Sequence, residues 1–177
     1  MQTSIVGCGD IGRRLARILI ERGHRVSAWV RSDTSVQQLT EQAIPGMAVD
    51  LDLADVEIPR VEGEALYYLA PPPAKGREDQ RVARLIRHLQ QTGAPARVVY
   101  LSTTGVYGDC QGEWVDESRP PAPLADRAFR RLDAESRWRV WSRESGGELV
   151  ILRVSGIYGP GKLPWRRLQS GQPMVCE

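Results

Sequence analysis

Ser4-Ile5-Val6-Gly7-Cys8-Gly9-Asp10-Ile11-Gly12, continuing as Arg13-Arg14-Leu15-Ala16-Arg17-Ile18-Leu19, is the stretch that decides the fold. The apolar run Ser4–Gly7 reads as a strand that enters glycines abruptly. From Asp10 to Arg22, Ile11, Leu15, Ile18 and Leu19 fall on one face of a helix, at the spacing of a helix packed on a sheet. Arg13, Arg14, Arg17 and Glu21 take the other face, and Gly23 is placed to end the helix. Gly-x-Gly-x-x-Gly is a weak signal alone, but between a strand and a helix it points to dinucleotide binding. Gly7 permits the tight turn, Gly9 lets a pyrophosphate approach the backbone, and Gly12 allows close helix–strand packing. Asp10 and Ile11 open the helix, whose N–H groups and positive dipole end face the phosphates. The plainer alternative is a glycine turn that binds nothing.

Working outward, strand-like runs alternate with amphipathic helical stretches. Arg25–Val30 reads as a second strand, and Asp33 or Thr34 caps a short helix bearing Val36 and Leu39 before Pro45-Gly46 breaks the chain. Met47–Val49 is a third strand, Ala65–Ala70 a fourth closed by Pro71-Pro72-Pro73, Arg97–Leu101 a fifth and Leu149–Val154 a sixth. Helices are expected over Glu78–Gln91 and Asp126–Arg143, with Trp138 and Trp141 suited to the core. Such alternation implies an α/β doubly wound parallel sheet with helices on both faces. Right-handed crossovers leave few topologies, and we expect a Rossmann-type order 3-2-1-4-5-6 in a single domain over residues 1–177.

Composition adds little more. The chain has 177 residues, 41% hydrophobic and 26% charged, and its net charge of +2 is too small to argue for nucleic acid. Arg127, Arg130, Arg131, Arg137, Arg139 and Arg143 are interleaved with Asp133, Glu135 and Glu144, which reads as a solvated helix face. No apolar run approaches the roughly 18 residues of a membrane span. Met1-Gln2-Thr3 shows no basic leader, so no secretion signal is expected. Cys8, Cys110 and Cys176 are an odd, widely spaced set that fits a reducing, cytoplasmic setting without metal.

Cofactor identity turns on the end of the second strand, Trp29-Val30-Arg31-Ser32. An acidic residue is expected there when the adenosine ribose keeps its 2′-hydroxyl. Arg31 stands in that place, with Ser32 beside it, and a guanidinium suits a 2′-phosphate, so NADP is expected ahead of NAD. Asp33 keeps NAD open, as a ribose acceptor if the loop bends. Asp50, after the third strand, either meets the adenine amino group or is a solvated loop carboxylate. Leu69, Ala70 and Pro71 end the fourth strand and would line the crevice, since ligands of open α/β sheets bind at strand carboxyl ends.

With these segments in view, the chain resembles the extended and atypical short-chain dehydrogenase/reductases, the NAD(P)-dependent epimerase/dehydratase family. The matching residues are the Gly7–Gly12 turn, Ala70-Pro71-Pro72, Leu101-Ser102-Thr103-Thr104-Gly105-Val106-Tyr107-Gly108, Trp114-Val115-Asp116-Glu117 and Leu152-Arg153-Val154-Ser155-Gly156-Ile157-Tyr158-Gly159-Pro160-Gly161. The resemblance implies a bound nicotinamide acting on a carbonyl or sugar-nucleotide-like small molecule. It places Ser102 with the cofactor and Thr103 as the hydroxyl that hydrogen-bonds the substrate oxygen, unless Thr103 merely closes a strand. Thr104 and Tyr107 would line the substrate wall.

Two departures stand out. The family's acid/base Tyr and Lys, four residues apart, align with Arg127 and Arg131, and arginine cannot cycle a proton near neutral pH. These arginines either hold an anionic substrate group or sit exposed on the helix. Tyr158–Lys162 matches the pattern only in text, because Gly159-Pro160-Gly161 prevents a helical turn. Family chains also run further, so the C-terminal substrate lobe is largely absent here. Three readings follow: an atypical oxidoreductase, a catalytically silent dinucleotide sensor or scaffold, or a fragment whose uncovered apolar surface favours a homodimer.

Overall fold

A computed structural model of the chain describes residues 2–159 together with Trp165, Gln169 and Ser170. Lys162 and Cys176, and with Lys162 the Tyr158–Lys162 pattern, lie outside the described residues. Six parallel strands form one sheet in the order β3-β2-β1-β4-β5-β6. They are β1 (Gln2–Val6), β2 (Arg25–Val30), β3 (Gly46–Ala48), β4 (Ala65–Tyr68), β5 (Arg97–Thr103) and β6 (Glu148–Val154). The helices are α1 (Asp10–Glu21), α2 (Asp33–Thr40), α3 (Gln80–Thr92) and α4 (Asp126–Ser145). The order expected for a doubly wound sheet is the one found. No described helix is long and apolar enough to cross a membrane.

Alternation along the strands sends neighbours to opposite faces and divides the core in two. Ile5, Val26 and Ala28 pack with Ala16 and Leu19 of α1 and Leu39 of α2. Leu66, Tyr68, Val98 and Tyr100 pack with Leu85 and Leu89 of α3 and with Trp138 and Trp141 of α4. The two tryptophans are fully enclosed, edge to face with ring centroids 5.5 Å apart, so they belong to the core as expected.

The ends of elements differ from the sequence reading for local reasons. Ser32, not Asp33 or Thr34, caps α2, because its extended backbone lets its hydroxyl accept from the Ser35 N–H. Asp79 caps α3 through the Arg81 and Val82 N–H groups, moving the helix start two residues beyond Glu78. β5 runs on to Thr103 because β6 pairs with it that far, and Thr104–Tyr107 winds into a short 3-10 helix.

The arginine-rich helix α4 is not a solvated face throughout. Glu135 has no exposed side-chain surface, and Arg130 is also buried. The Glu135 carboxylate accepts from Ser102 Oγ at 2.6 Å, from Arg153 Nε and Nη2 at 3.0 and 2.7 Å, and from Arg139 Nη2 at 2.9 Å. One carboxylate therefore joins α4 to β5 and β6. Burial alone would raise the Glu135 pKa, but the bonds from Arg153 and Ser102, with Arg139, outweigh it and hold the carboxyl below its ordinary value of 4.5. A carboxyl depressed in the folded state contributes stability above its unfolded pKa and loses it as pH falls through the folded one. Acid unfolding is thus expected to begin below about pH 4.5, with a smaller acid-dependent loss in Glu135→Gln than in the natural chain. Glu135→Ala, which strands the partly buried Arg153 charge, should cost about 3–5 kcal/mol by denaturant titration at neutral pH.

Candidate cofactor-binding site

The site is built where β1 gives way to α1. Gly7 has φ +80°, and a Cβ there would sit 2.5 Å from the Ala70 N, so the turn passes directly beneath the end of β4. Gly7 and Cys8 both donate their N–H groups to Trp29 O at 3.0 Å, which ties the turn to β2. The first helical bond runs from Arg13 N to Gly9 O, so the N–H groups of Asp10, Ile11 and Gly12 precede it, in the turn where a helix lacks internal acceptors. A Cβ built on Gly9 meets nothing within 4 Å. A backbone with amides at a helix start and open space in front fits a pyrophosphate. A Cβ on Gly12 would lie 3.2 Å from Cys8 Sγ and 3.4 Å from Gly7 O, so its small size lets α1 start close against the turn that leaves β1. Burial pushes the Cys8 thiol up to about 11, against the pull of Arg13, which keeps it protonated inside the turn.

Gly7, Arg31, Asp50, Ala70 and Pro71 converge on one cavity of about 290 Å³. These residues are far apart in sequence and are gathered by the carboxyl ends of β1 to β4. Arg31 is exposed beside this cavity, whereas the Ser32 hydroxyl is engaged in capping α2. Asp50 Oδ1 accepts the Asp52 N–H at 3.0 Å. Leu69 continues the β1–β4 ladder, its N–H donating to Val6 O at 2.8 Å.

Thr104, Tyr107 and Arg127 meet in a second, larger cavity of about 600 Å³, beyond the end of β5. Thr103, next to Thr104 at the end of β5, and Arg131 of α4 line neither of these cavities. Thr103 Oγ1 accepts the Gly105 N–H at 3.2 Å, which caps the 3-10 helix and leaves the hydroxyl proton to be given elsewhere. Ser102, one residue earlier, faces the opposite way and is buried, its hydroxyl donated to Glu135. Its side chain is therefore part of the α4–β5 joint and does not line either cavity.

Arg131 does not join Arg127 in the larger cavity. Its Nη1 donates to Leu101 O at 3.0 Å, and to Ala70 O and Tyr100 Oη at 3.3 Å. A fixed positive charge thus sits on the carboxyl ends of β4 and β5. Burial pushes the neighbouring Tyr100 phenol up to about 12, with Arg131 acting the other way, so that phenol is protonated at neutral pH. Among the described residues there is no cluster of His, Cys, Asp or Glu able to hold a metal.

Sequence reading missed Arg81 and Arg84. Both leave the start of α3 and reach back to the loop after β3: Arg81 grips Asp52, and Arg84 donates to Leu51 O. No local pattern marks them, since their partners Asp52 and Leu51 lie 29 and 33 residues earlier.

Residues 5–171 match the NAD dependent epimerase/dehydratase family. Protein YeeZ of Escherichia coli K12 is 28% identical over 93% of this chain and 62% of its own length. A functionally unknown conserved protein from Silicibacter pomeroyi superposes with a TM-score of 0.77 at 31% identity, covering 96% of this chain and 57% of that one. UDP-glucose 4-epimerase of Thermus thermophilus, solved in complex with NAD, gives a TM-score of 0.74 at 24% identity over 93% of this chain and 58% of that one. The chain therefore spans about three fifths of the length of these relatives. On its sequence match and its fold, the chain belongs to the NAD dependent epimerase/dehydratase family.

Proposed function

We propose that this chain is the dinucleotide-binding part of an oxidoreductase of the epimerase/dehydratase type, and that the dinucleotide is NADP(H). Arg31 carries the cofactor assignment: it lines the same cavity as Gly7, Asp50, Ala70 and Pro71, at the strand end where an acidic residue would hold a free ribose 2′-hydroxyl. A guanidinium there pairs with a 2′-phosphate through charge-assisted hydrogen bonds. The α1 start takes the pyrophosphate, and Asp50 takes the adenine amino group.

When bound, the nicotinamide supplies the hydride chemistry. Thr103 donates a hydrogen bond from its hydroxyl to the substrate oxygen and polarises it. Arg127, on the wall of the larger cavity, holds an anionic group such as the diphosphate of a sugar nucleotide. Arg131 moves no proton, since a guanidinium stays charged. It holds the ends of β4 and β5 in register beside Thr103 and keeps positive charge next to the reacting region. The free thiols of Cys8 and Cys110 support a cytoplasmic setting.

Two substitutions test this reading. Gly9→Val places a branched side chain in the open space before the α1 amides, so the domain is expected to keep its unfolding midpoint while losing NADPH binding. Retained affinity would exclude the turn as the phosphate site. Arg31→Glu is expected to lower the ratio of NADPH to NADH affinity by roughly tenfold or more, as read by cofactor fluorescence titration. An unchanged ratio would exclude Arg31 from recognition of the 2′-phosphate.

A further inference from the structure

The loop between β3 and β4, residues 49–64, contains no regular helix or strand, yet it supplies Asp50 and Leu51 to the adenosine-end cavity. Ladder hydrogen bonds do not hold this lip beyond Val49, whose N–H donates to Val30 O. It is pinned from α3. Arg81 Nε and Nη2 bind the two Asp52 oxygens at 2.7 and 2.5 Å, the paired fork geometry that fixes orientation as well as distance. Its remaining terminal nitrogen, Nη1, donates to Pro71 O at 2.9 Å, on the opposite lip after β4. Arg84, one turn further along α3, donates to Leu51 O.

The anchor of this arrangement is itself rigid. Asp79, wholly buried, caps α3 through the Arg81 and Val82 N–H groups, both at 3.1 Å, and its own N–H donates to Asp133 of α4 at 2.8 Å. The Arg81 side chain is 15% exposed and lines the cavity, unlike the freely solvated pairs elsewhere on the surface. The bond from Arg81 holds the Asp52 carboxyl below its ordinary value of 3.8, so the pair is intact at neutral pH. Asp52 in turn donates its N–H to Asp50 Oδ1, which links the pinned residue to the carboxylate facing the cavity.

We propose that Arg81 is a positioning residue for the adenosine end of the cofactor. As a strap between Asp52 and Pro71 O, it sets the separation of the two lips and, through Asp52, the orientation of Asp50. This assignment rests on the cofactor reading above. Arg81 acts through its partners, so its removal and the removal of Asp52 should damage the same thing once.

Adenosine 2′,5′-bisphosphate, which carries the adenosine end without the nicotinamide, is the probe, titrated calorimetrically into the natural chain, Arg81→Met, Asp52→Asn and the double variant. Each single variant is expected to lose roughly tenfold in affinity and the double variant no more than either, with unfolding midpoints close to that of the natural chain. Arg81→Lys, which keeps the charge without the fork, should recover only part of the loss. The Asp52 side chain is 45% exposed, so Asp52→Asn provides a folded variant even if position 81 proves intolerant. Unaltered affinity in Asp52→Asn, or losses that multiply in the double variant, would overturn the strap while leaving the cofactor reading standing. Failure of the natural chain to bind the probe would overturn both.

Discussion

The contact between Gly7 and Ala70 is the constraint on which the rest depends. With a Cβ at position 7 placed only 2.5 Å from the Ala70 N, no other residue can pass under the end of β4 without moving it. Because the chain can turn there, β1 lies in the middle of the sheet and α1 starts at its carboxyl edge. The same turn is bound to Trp29 O of β2, so β1, β2 and β4 meet at one point. The cavity they enclose is where a parallel sheet that reverses its winding direction collects ligands.

Charge is the second organising theme, and arginine does most of it. Around the smaller cavity, Arg81 binds Asp52 directly, and Arg31 and Arg84 add their charge to hold that carboxyl down. At the strand ends, Arg131 occupies three acceptors. Behind the sheet edge, Arg153 and Arg139 converge on the buried Glu135, and the Arg153 guanidinium lies over the Tyr107 ring, 4.7 Å from its centroid. The wall of the larger cavity is thereby connected to the joint between α4 and β6. A buried carboxylate that serves two arginines and a serine tolerates little change in any partner, because each unpaired member would be left desolvated.

Much of this was legible in the residues themselves. Alternating and helical apolar patterns located the six strands and the helices α1 to α4, and the right-handed crossover rule for a doubly wound sheet led to the strand order. Arg31, Asp50, Ala70 and Pro71, which line one cavity, could be grouped in advance because each falls at or just beyond a strand end, a position that local pattern reveals. Ser102 and Arg131 were harder to read. Both belong to segments correctly placed, yet a side chain's direction depends on strand alternation and on partners distant in sequence: Glu135 lies 33 residues from Ser102, and Leu101 lies 30 from Arg131. Arg81 was missed for the same reason, since nothing near it in sequence announces an acidic partner 29 residues earlier. Likewise, interleaved charges on α4 resemble a solvated face until β6 is packed against them.

A calorimetric titration of the natural chain with NADPH and, separately, NADH tests the central claim most directly. Saturable binding of both, with NADPH clearly the tighter, is the result expected from a glycine turn that faces a pyrophosphate and an arginine that meets the 2′-phosphate. Equal or tighter binding of NADH would contradict the role given to Arg31, and binding of neither would contradict the assignment of the crevice as a dinucleotide site.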